Sequence, residues 1–166
     1  MIDEYTRRCL AIRVSRRFTG GDVIATLKGL TKLNQVAPDH VRCDNGPEFV
    51  SAAMRRWLKR SEIGALYIAP GSPWENAYAE SYHSRLRDEM LNREEFQTLS
   101  QAQALLSNWR TEYNHERPHG SLGYQSPEAF ATACLRRLAE PCSATLRPAQ
   151  HDDEDKGKRL VESVAQ

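Results

Sequence analysis

The sequence predicts an α/β fold, and three observations predict it. Apolar residues recur at three- and four-residue spacing in several stretches, as amphipathic helices require. Short runs rich in β-branched and apolar residues separate those stretches. Gly, Pro, Asn and Asp mark the boundaries between the two kinds of segment.

The elements follow in order. Cys9-Leu-Ala-Ile-Arg-Val14 is a β-prone run preceded by the polar turn Asp3-Glu-Tyr-Thr-Arg-Arg8, and Gly20-Gly21 then breaks the chain. Val23, Ile24, Leu27, Leu30 and Leu33 predict a helix from about Asp22 to Asn34, with Asp22 near its start. His40-Val-Arg-Cys43 reads as a strand leading into Asp44. The stretch Asp44-Asn45-Gly46-Pro47 is a turn, because Pro47 fixes its own φ and drives Gly46 out of the helical region. Beyond it Phe49, Ala53, Met54, Trp57 and Leu58 form an apolar stripe. Arg55, Arg56, Lys59 and Arg60 lie opposite, as a solvated face or a phosphate-contacting one. Residues 65–69 predict a strand and 70–77 a loop. Helices are predicted from about Asn76 to Leu91 and from about Ser100 to Tyr113, the second packed through Leu105, Leu106, Trp109 and Tyr113. Residues 114–130 are polar and rich in turns, and from Pro141 onward the composition is that of a disordered tail.

Composition narrows the function classes. The chain has 166 residues, which suits one domain plus a tail, and its net charge of +1 does not by itself announce a nucleic-acid binder. Basic residues cluster at Arg7-Arg8, Arg16-Arg17 and Arg55–Arg60, while Asp152–Asp155 offsets them. Cys9, Cys43, Cys134 and Cys142 form no C-x-x-C pair and read as free thiols in a reducing compartment. His115 and His119 have zinc-finger spacing, but without a C-x-x-C they do not make a zinc site. Nothing approaches the length of an apolar membrane span, so the expected location is cytoplasmic, with no membrane partner.

Two acids stand out. Asp44 ends a strand, and Glu80 lies one turn into a helix. At about 100° per residue, Ser84 falls roughly 40° and Arg87 roughly 20° from Glu80, giving one polar helix face. Carboxylates from a strand end and a helix could meet at the carboxyl edge of a sheet. Hard oxygen ligands with little competing His or Cys suit Mg²⁺ or Mn²⁺. Isolated structural acids have the same residue types, so spacing alone leaves both readings open.

The stretches "VRCDNGPEF", "PGSPWENAYAESYHSRLRDE" and "YNHERPHGSLGYQSPEAF", with 35 residues between Asp44 and Glu80, resemble the catalytic core of insertion-sequence transposases related to retroviral integrases. These are DDE recombinases with a ribonuclease H-like fold. The resemblance covers residues 1 to about 132, taken as a partial catalytic core, with 133–166 as a disordered extension. It implies metal-dependent DNA cleavage and strand transfer by two ions held on three acids. Asp44 matches the second acid and Glu80 the third, both as catalytic and metal-binding residues. Asn45, Ser84, Arg87 and Arg117 are the implied DNA-contacting residues, and Arg117 and His119 either touch DNA or hold their loop. DNA and further copies of the chain are the implied partners, and association with the nucleoid the implied location.

The resemblance also implies something missing. Met1 corresponds to a point inside the family's second strand. The first strand, its acid and most of the second strand are therefore expected to be absent, and strand 39–43 to expose an unpaired edge. Asp3, the nearest upstream acid, corresponds to the turn between strands two and three, not to the catalytic position. On that expectation the chain is an inactive fragment; the alternative is a non-catalytic DNA-binding or interfering remnant. A ribonuclease H-like nuclease outside mobile elements would not need the 114–130 signature.

Overall fold

The structure, a computed structural model, describes residues 1–34, 37–69, 71, 77–139 and 160–163. The elements are β1 (Ile2–Asp3), α1 (Gly20–Asn34), β2 (His40–Cys43), α2 (Pro47–Val50), α3 (Ala52–Arg60), β3 (Gly64–Tyr67), α4 (Ala77–Leu86), α5 (Leu99–His115), α6 (Pro127–Ala139) and β4 (Leu160–Ser163). A single π-helical turn, Arg87–Leu91, prolongs α4, and a 3₁₀ turn spans Gly120–Leu122.

The described strands form one sheet in the order β1-β4-β2-β3. β4, β2 and β3 run parallel, and β1 is antiparallel to β4. Two hydrophobic cores flank the sheet. One joins α1, β2, α2 and α3 through Val23, Leu27, Val41, Cys43, Phe49, Met54 and Leu58. The other joins β1, α4 and α5 through Ile2, Cys9, Tyr82, Leu106, Trp109 and Tyr113. Met1 packs against the first and Ile2 belongs to the second. Consecutive strand residues face opposite ways, so the two cores lie on opposite sides of the sheet.

The helices follow their apolar stripes. α1 starts two residues before the predicted point because Thr19 and Asp22 cap it reciprocally. The Thr19 amide and hydroxyl donate to Asp22 Oδ2 at 2.9 and 2.7 Å, and the Asp22 amide returns to Thr19 Oγ1 at 3.4 Å. The same two bonds from Thr19 hold the Asp22 carboxyl below its ordinary range. Gly20 belongs here for space, because a Cβ on it would meet Ser51 Oγ at 2.5 Å and the Glu48 carbonyl at 2.8 Å.

Two expectations need correction. The run 9–14 is not a strand: only Cys9 bridges to Ile2, and residues 10–14 have no regular ladder. Its backbone bonds instead to a polar stripe on α5. Asn114 Oδ1 accepts from the Cys9 amide at 2.8 Å and its Nδ2 donates to the Cys9 carbonyl at 3.0 Å. Arg110 donates to the Leu10 carbonyl, while Gln103 donates to the Ile12 carbonyl and accepts from the Val14 amide. Side chains of a helix thus take the place of a neighbouring strand, and backbone groups that would be costly to bury unpaired are satisfied.

The second correction concerns the free edge. β2 is paired on both sides, because β4 lies against the edge expected to be open, in the register His40↔Leu160 to Cys43↔Ser163. Residues 160–163 are therefore a strand of the sheet, where a disordered extension was expected, and α6 continues the core past residue 132 to Ala139. An unpaired parallel strand is an open row of donors and acceptors, and an apolar segment such as Leu160-Val161, with β-branched Val161, fits it. The remainder of the predicted tail, 140–159 and 164–166, lies outside the described residues.

Candidate active site

Asp44 leaves the end of β2 through a side-chain turn. Its Oδ1 accepts the Gly46 amide at 2.9 Å, which fixes the carboxylate immediately beyond the strand. Gly46 has φ −57° and ψ 147°, the extended conformation a residue before proline prefers. Glycine is needed for room rather than for a positive φ. A Cβ there would stand 3.0 Å from Asp44 Oδ1 and 3.0 Å from Glu48 Oε1. Both carboxylates therefore border the same small space above Gly46. Glu48 was not singled out from the sequence. Its place four residues after Asp44, across a Gly-Pro turn, was the available signal.

The neighbourhood is set by ordinary local bonds. Asn45 Nδ2 donates to the Ile68 carbonyl at 3.0 Å and the Ile68 amide donates to the Cys43 carbonyl, which ties the turn to the end of β3. Asn45 is exposed, but its amide already has this partner. The Cys43 thiol is buried, and burial together with the Asp44 charge pushes its pKa up to about 12. It stays a neutral core thiol and offers no soft ligand beside Asp44.

α4 buries Ala79 and Tyr82 and leaves Glu80, Ser84 and Arg87 exposed. Ser84 Oγ donates to Asp88 Oδ2 at 3.5 Å. Arg87 opens the π-helical turn, a distortion that recurs at functional sites. Among the described residues no three His, Cys, Asp or Glu side chains cluster as a metal site. Asp44 and Glu48 are thus brought together; Asp44 and Glu80 stand on separate elements.

Arg117 is held elsewhere. It pairs with Glu89, and its guanidinium lies 5.9 Å from the centre of the Tyr113 ring. Glu89 also accepts from Trp109 Nε1 at 3.1 Å. Burial raises the Glu89 pKa, but the bonds from Arg117 and Trp109 and the Arg117 charge outweigh it and hold the carboxyl low. His119 is buried, meets Tyr113 edge-on, and has an Nε2 without a partner among the described residues. Burial first, then the charges of Arg85, Arg117 and Arg7, lower its pKa to about 4. With Asn114 clamping Cys9, the "YNHERPH" stretch locks α5 to its surroundings. Asp3 likewise holds the turn after β1, accepting from the Tyr5 amide and the Thr6 hydroxyl.

Two family models, both described as integrase core domain, match residues 1–73 and 61–127 and together run from Met1 to Pro127. The chain belongs to the integrase core domain family. It is 39% identical over 131 residues to an uncharacterized 39.2 kDa protein of insertion element IS476 from Xanthomonas euvesicatoria, covering 79% of this chain and 38% of that one. It is 37% identical to an uncharacterized protein of insertion element IS407 from Burkholderia multivorans, covering 79% and 47%. A transposase for insertion sequence element IS904 from Lactococcus lactis is 31% identical over 91 residues, covering 54% of this chain and 36% of that one. The chain thus spans less than half the length of these curated relatives.

Among solved structures, the catalytic core of BIV integrase superposes with a TM-score of 0.59 at 21% identity, covering 77% of this chain and 80% of that one. The HTLV-2 integrase catalytic core in complex with magnesium, a trimeric form, gives 0.54 at 14% identity, covering 78% and 80%. The fold is that of the ribonuclease H-like integrase cores. The integrase family expected from the sequence motifs is the family found. Among the described residues no helix is long and apolar enough to cross a membrane.

Proposed function

We propose that this chain carries catalytic-core residues of an insertion-sequence transposase, with Asp44 and Glu80 as carboxylate ligands for a divalent cation that cleaves and joins DNA strands. The observation that carries the reading is the Asp44 turn: a carboxylate pinned just past a parallel strand, with Glu48 beside it and the adjacent thiol kept neutral. The donor set fits the metal chemically. Mg²⁺ takes oxygen ligands and is commonly held by one or two carboxylates, with waters and phosphate oxygens completing the shell. Two such ions would activate the attacking oxygen and stabilise the leaving one. The integrase core relatives, one of them described with magnesium, support that choice.

DNA is the proposed partner, approached through the exposed basic face of α3 and through Ser84 and Arg87 near Glu80. Asn45 and Arg117 are proposed as further DNA contacts, alongside the bonds they make to the Ile68 carbonyl and to Glu89. Further copies of the chain are proposed partners on the same grounds, and the nucleoid the proposed location. The core is proposed to run from residue 1 through α6, past the boundary at about 132 expected from the sequence, with β4 completing its sheet. A second reading, DNA binding without strand transfer, is favoured by the absence of a three-ligand cluster among the described residues.

Calorimetric titration with MnCl₂ and a plasmid-nicking assay test both. The first reading expects saturable Mn²⁺ binding, weakened about tenfold or more by Asp44→Asn and by Glu80→Gln, together with metal-dependent nicking. Salt-sensitive DNA binding without nicking favours the second. Equal Mn²⁺ affinity in wild type and both variants refutes the metal site.

A further inference from the structure

Three arginines far apart in sequence come to one patch, on the side of α4 turned away from Glu80. At about 100° per residue, Tyr78, Tyr82 and Arg85 share a stripe roughly 60° wide, and Arg85 stands roughly 140° from Glu80. The Arg7 guanidinium lies over the Tyr78 ring, 3.5 Å from its centre. Tyr82 meets Tyr113 of α5 edge-on, with ring centres 5.4 Å apart. Past the end of α5, Arg117 and His119 approach that same Tyr113 ring, at 5.9 and 5.0 Å from its centre. Linked rings thus gather guanidiniums from the turn after β1, from α4 and from the loop after α5. The charges of Arg85, Arg117 and Arg7 all bear on both His119 and Tyr113.

The patch is short of negative charge. Glu89 pairs with Arg117, and Glu4, whose charge reaches Arg7, is already paired with Arg42. Arg7 spends one donor on the Glu4 carbonyl, which leaves the rest of its fork. Arg85 is half-buried and has no hydrogen-bond or ion-pair partner among the described residues. A guanidinium withdrawn from water without a counter-charge is unfavourable, so the place favours an anion. Two further features point the same way. Arg7 has φ 60°, in the left-handed region that favours glycine, and such outliers gather where ligands are held. The buried His119 Nε2 beside the patch also lacks a partner among the described residues.

We propose that Arg7, Arg85 and Arg117 form an oxyanion site for a phosphate group, supplied by the backbone of bound DNA. Guanidinium forks are planar and pair with phosphate oxygens two at a time. Forks arriving from three separate elements suit a tetrahedral group, whose oxygens point in several directions, better than a planar carboxylate. The backbone source rests on the functional reading above, which already gives Arg117 to DNA. Arg7 and Arg85 are new to it, and the site shares no residue with the proposed metal ligands. Free phosphate has the same chemistry, so the test separates the two sources.

Sodium phosphate is titrated into the isotopically labelled full chain at fixed ionic strength, with the guanidinium Nε–H signals of Arg7, Arg85 and Arg117 followed by nuclear magnetic resonance. Saturable shifts are expected with phosphate and not with acetate. A fluorescein-labelled duplex of random sequence is then titrated by anisotropy at several salt concentrations. Arg85→Gln should bind it about tenfold more weakly, and the slope of log affinity against log salt should fall by about 0.9, the share of one phosphate contact. Phosphate shifts with that fall in slope support the backbone source. Phosphate shifts with an unchanged slope overturn that source and leave a site for free phosphate. Wild type that binds no DNA refutes the DNA reading, and the phosphate titration then decides the site alone. Mn²⁺ affinity of Arg85→Gln should match wild type, which keeps this test separate from that of the metal site. Should Arg85→Gln fail to fold by circular dichroism, the titration of wild type decides. No saturable shift with phosphate, or equal shifts with acetate, overturns the proposal.

Discussion

Replacing Asn114 by alanine removes the partners of both backbone polar groups of one buried residue, Cys9. The Asn114 side chain accepts from the Cys9 amide at 2.8 Å and donates to the Cys9 carbonyl at 3.0 Å. Cys9 is 2% exposed and Asn114 9% exposed, so water has little access to either group once the amide is gone. A buried donor or acceptor left unsatisfied costs about 1–3 kcal/mol, and two of them about 2–4 kcal/mol together after partial relaxation. Against a domain stability of about 5–15 kcal/mol that is a large fraction. The expected drop in Tm is about 4–16 °C for a chain of this length. Urea unfolding followed by far-ultraviolet circular dichroism measures it. The midpoint should fall while the slope stays fixed, because the surface exposed on unfolding barely changes. Asn114→Asp keeps the acceptor for the amide but sets a carboxylate oxygen against the Cys9 carbonyl, so it should cost at least as much at neutral pH. A loss below about 0.5 kcal/mol for Asn114→Ala would refute the claim that α5 side chains substitute for a neighbouring strand.

Other expectations can be checked on the same protein. His119 is buried with its pKa lowered to about 4. Between the unfolded value near 6.5 and that figure, the unfolded chain binds the proton and the folded one does not, so stability falls as pH drops through this window. The loss is about 3 kcal/mol at most. Tm measured from pH 8 to pH 4 should show it, and His119→Phe should flatten the profile; an unchanged profile would remove His119 as its cause. Val161 pairs with Val41 on one side and Asp3 on the other. Val161→Pro removes a ladder donor from the middle of the sheet and should lower stability by about 1–3 kcal/mol. Amide exchange at Val41 and Arg42 should accelerate alongside, and an unaltered exchange pattern would refute the pairing with β4.

Local chemistry explains what was legible. α1, α3 and α5 came from apolar spacing, because a helix closes its own hydrogen bonds and needs only one buried face. The Asp44 turn came from Asn-Gly-Pro chemistry within four residues. The motif resemblance pointed to the integrase core family, and that family was found.

Tertiary structure decided what local pattern cannot. Cys9–Val14 has strand composition, yet a strand exists only if another backbone lies beside it, and here α5 side chains take that place. Leu160–Ser163 looked like part of a tail, yet it joins the sheet because an unpaired edge of β2 was available to it. Arg117 read as a contact for DNA or a holder of its loop, and the Glu89 carboxylate that occupies it lies 28 positions earlier in the chain. Glu48 came to Asp44 only because Gly46 leaves room for both carboxylates. In each case the deciding partner is distant in sequence or fixed by space, and the sequence alone encodes neither until the chain has closed on itself.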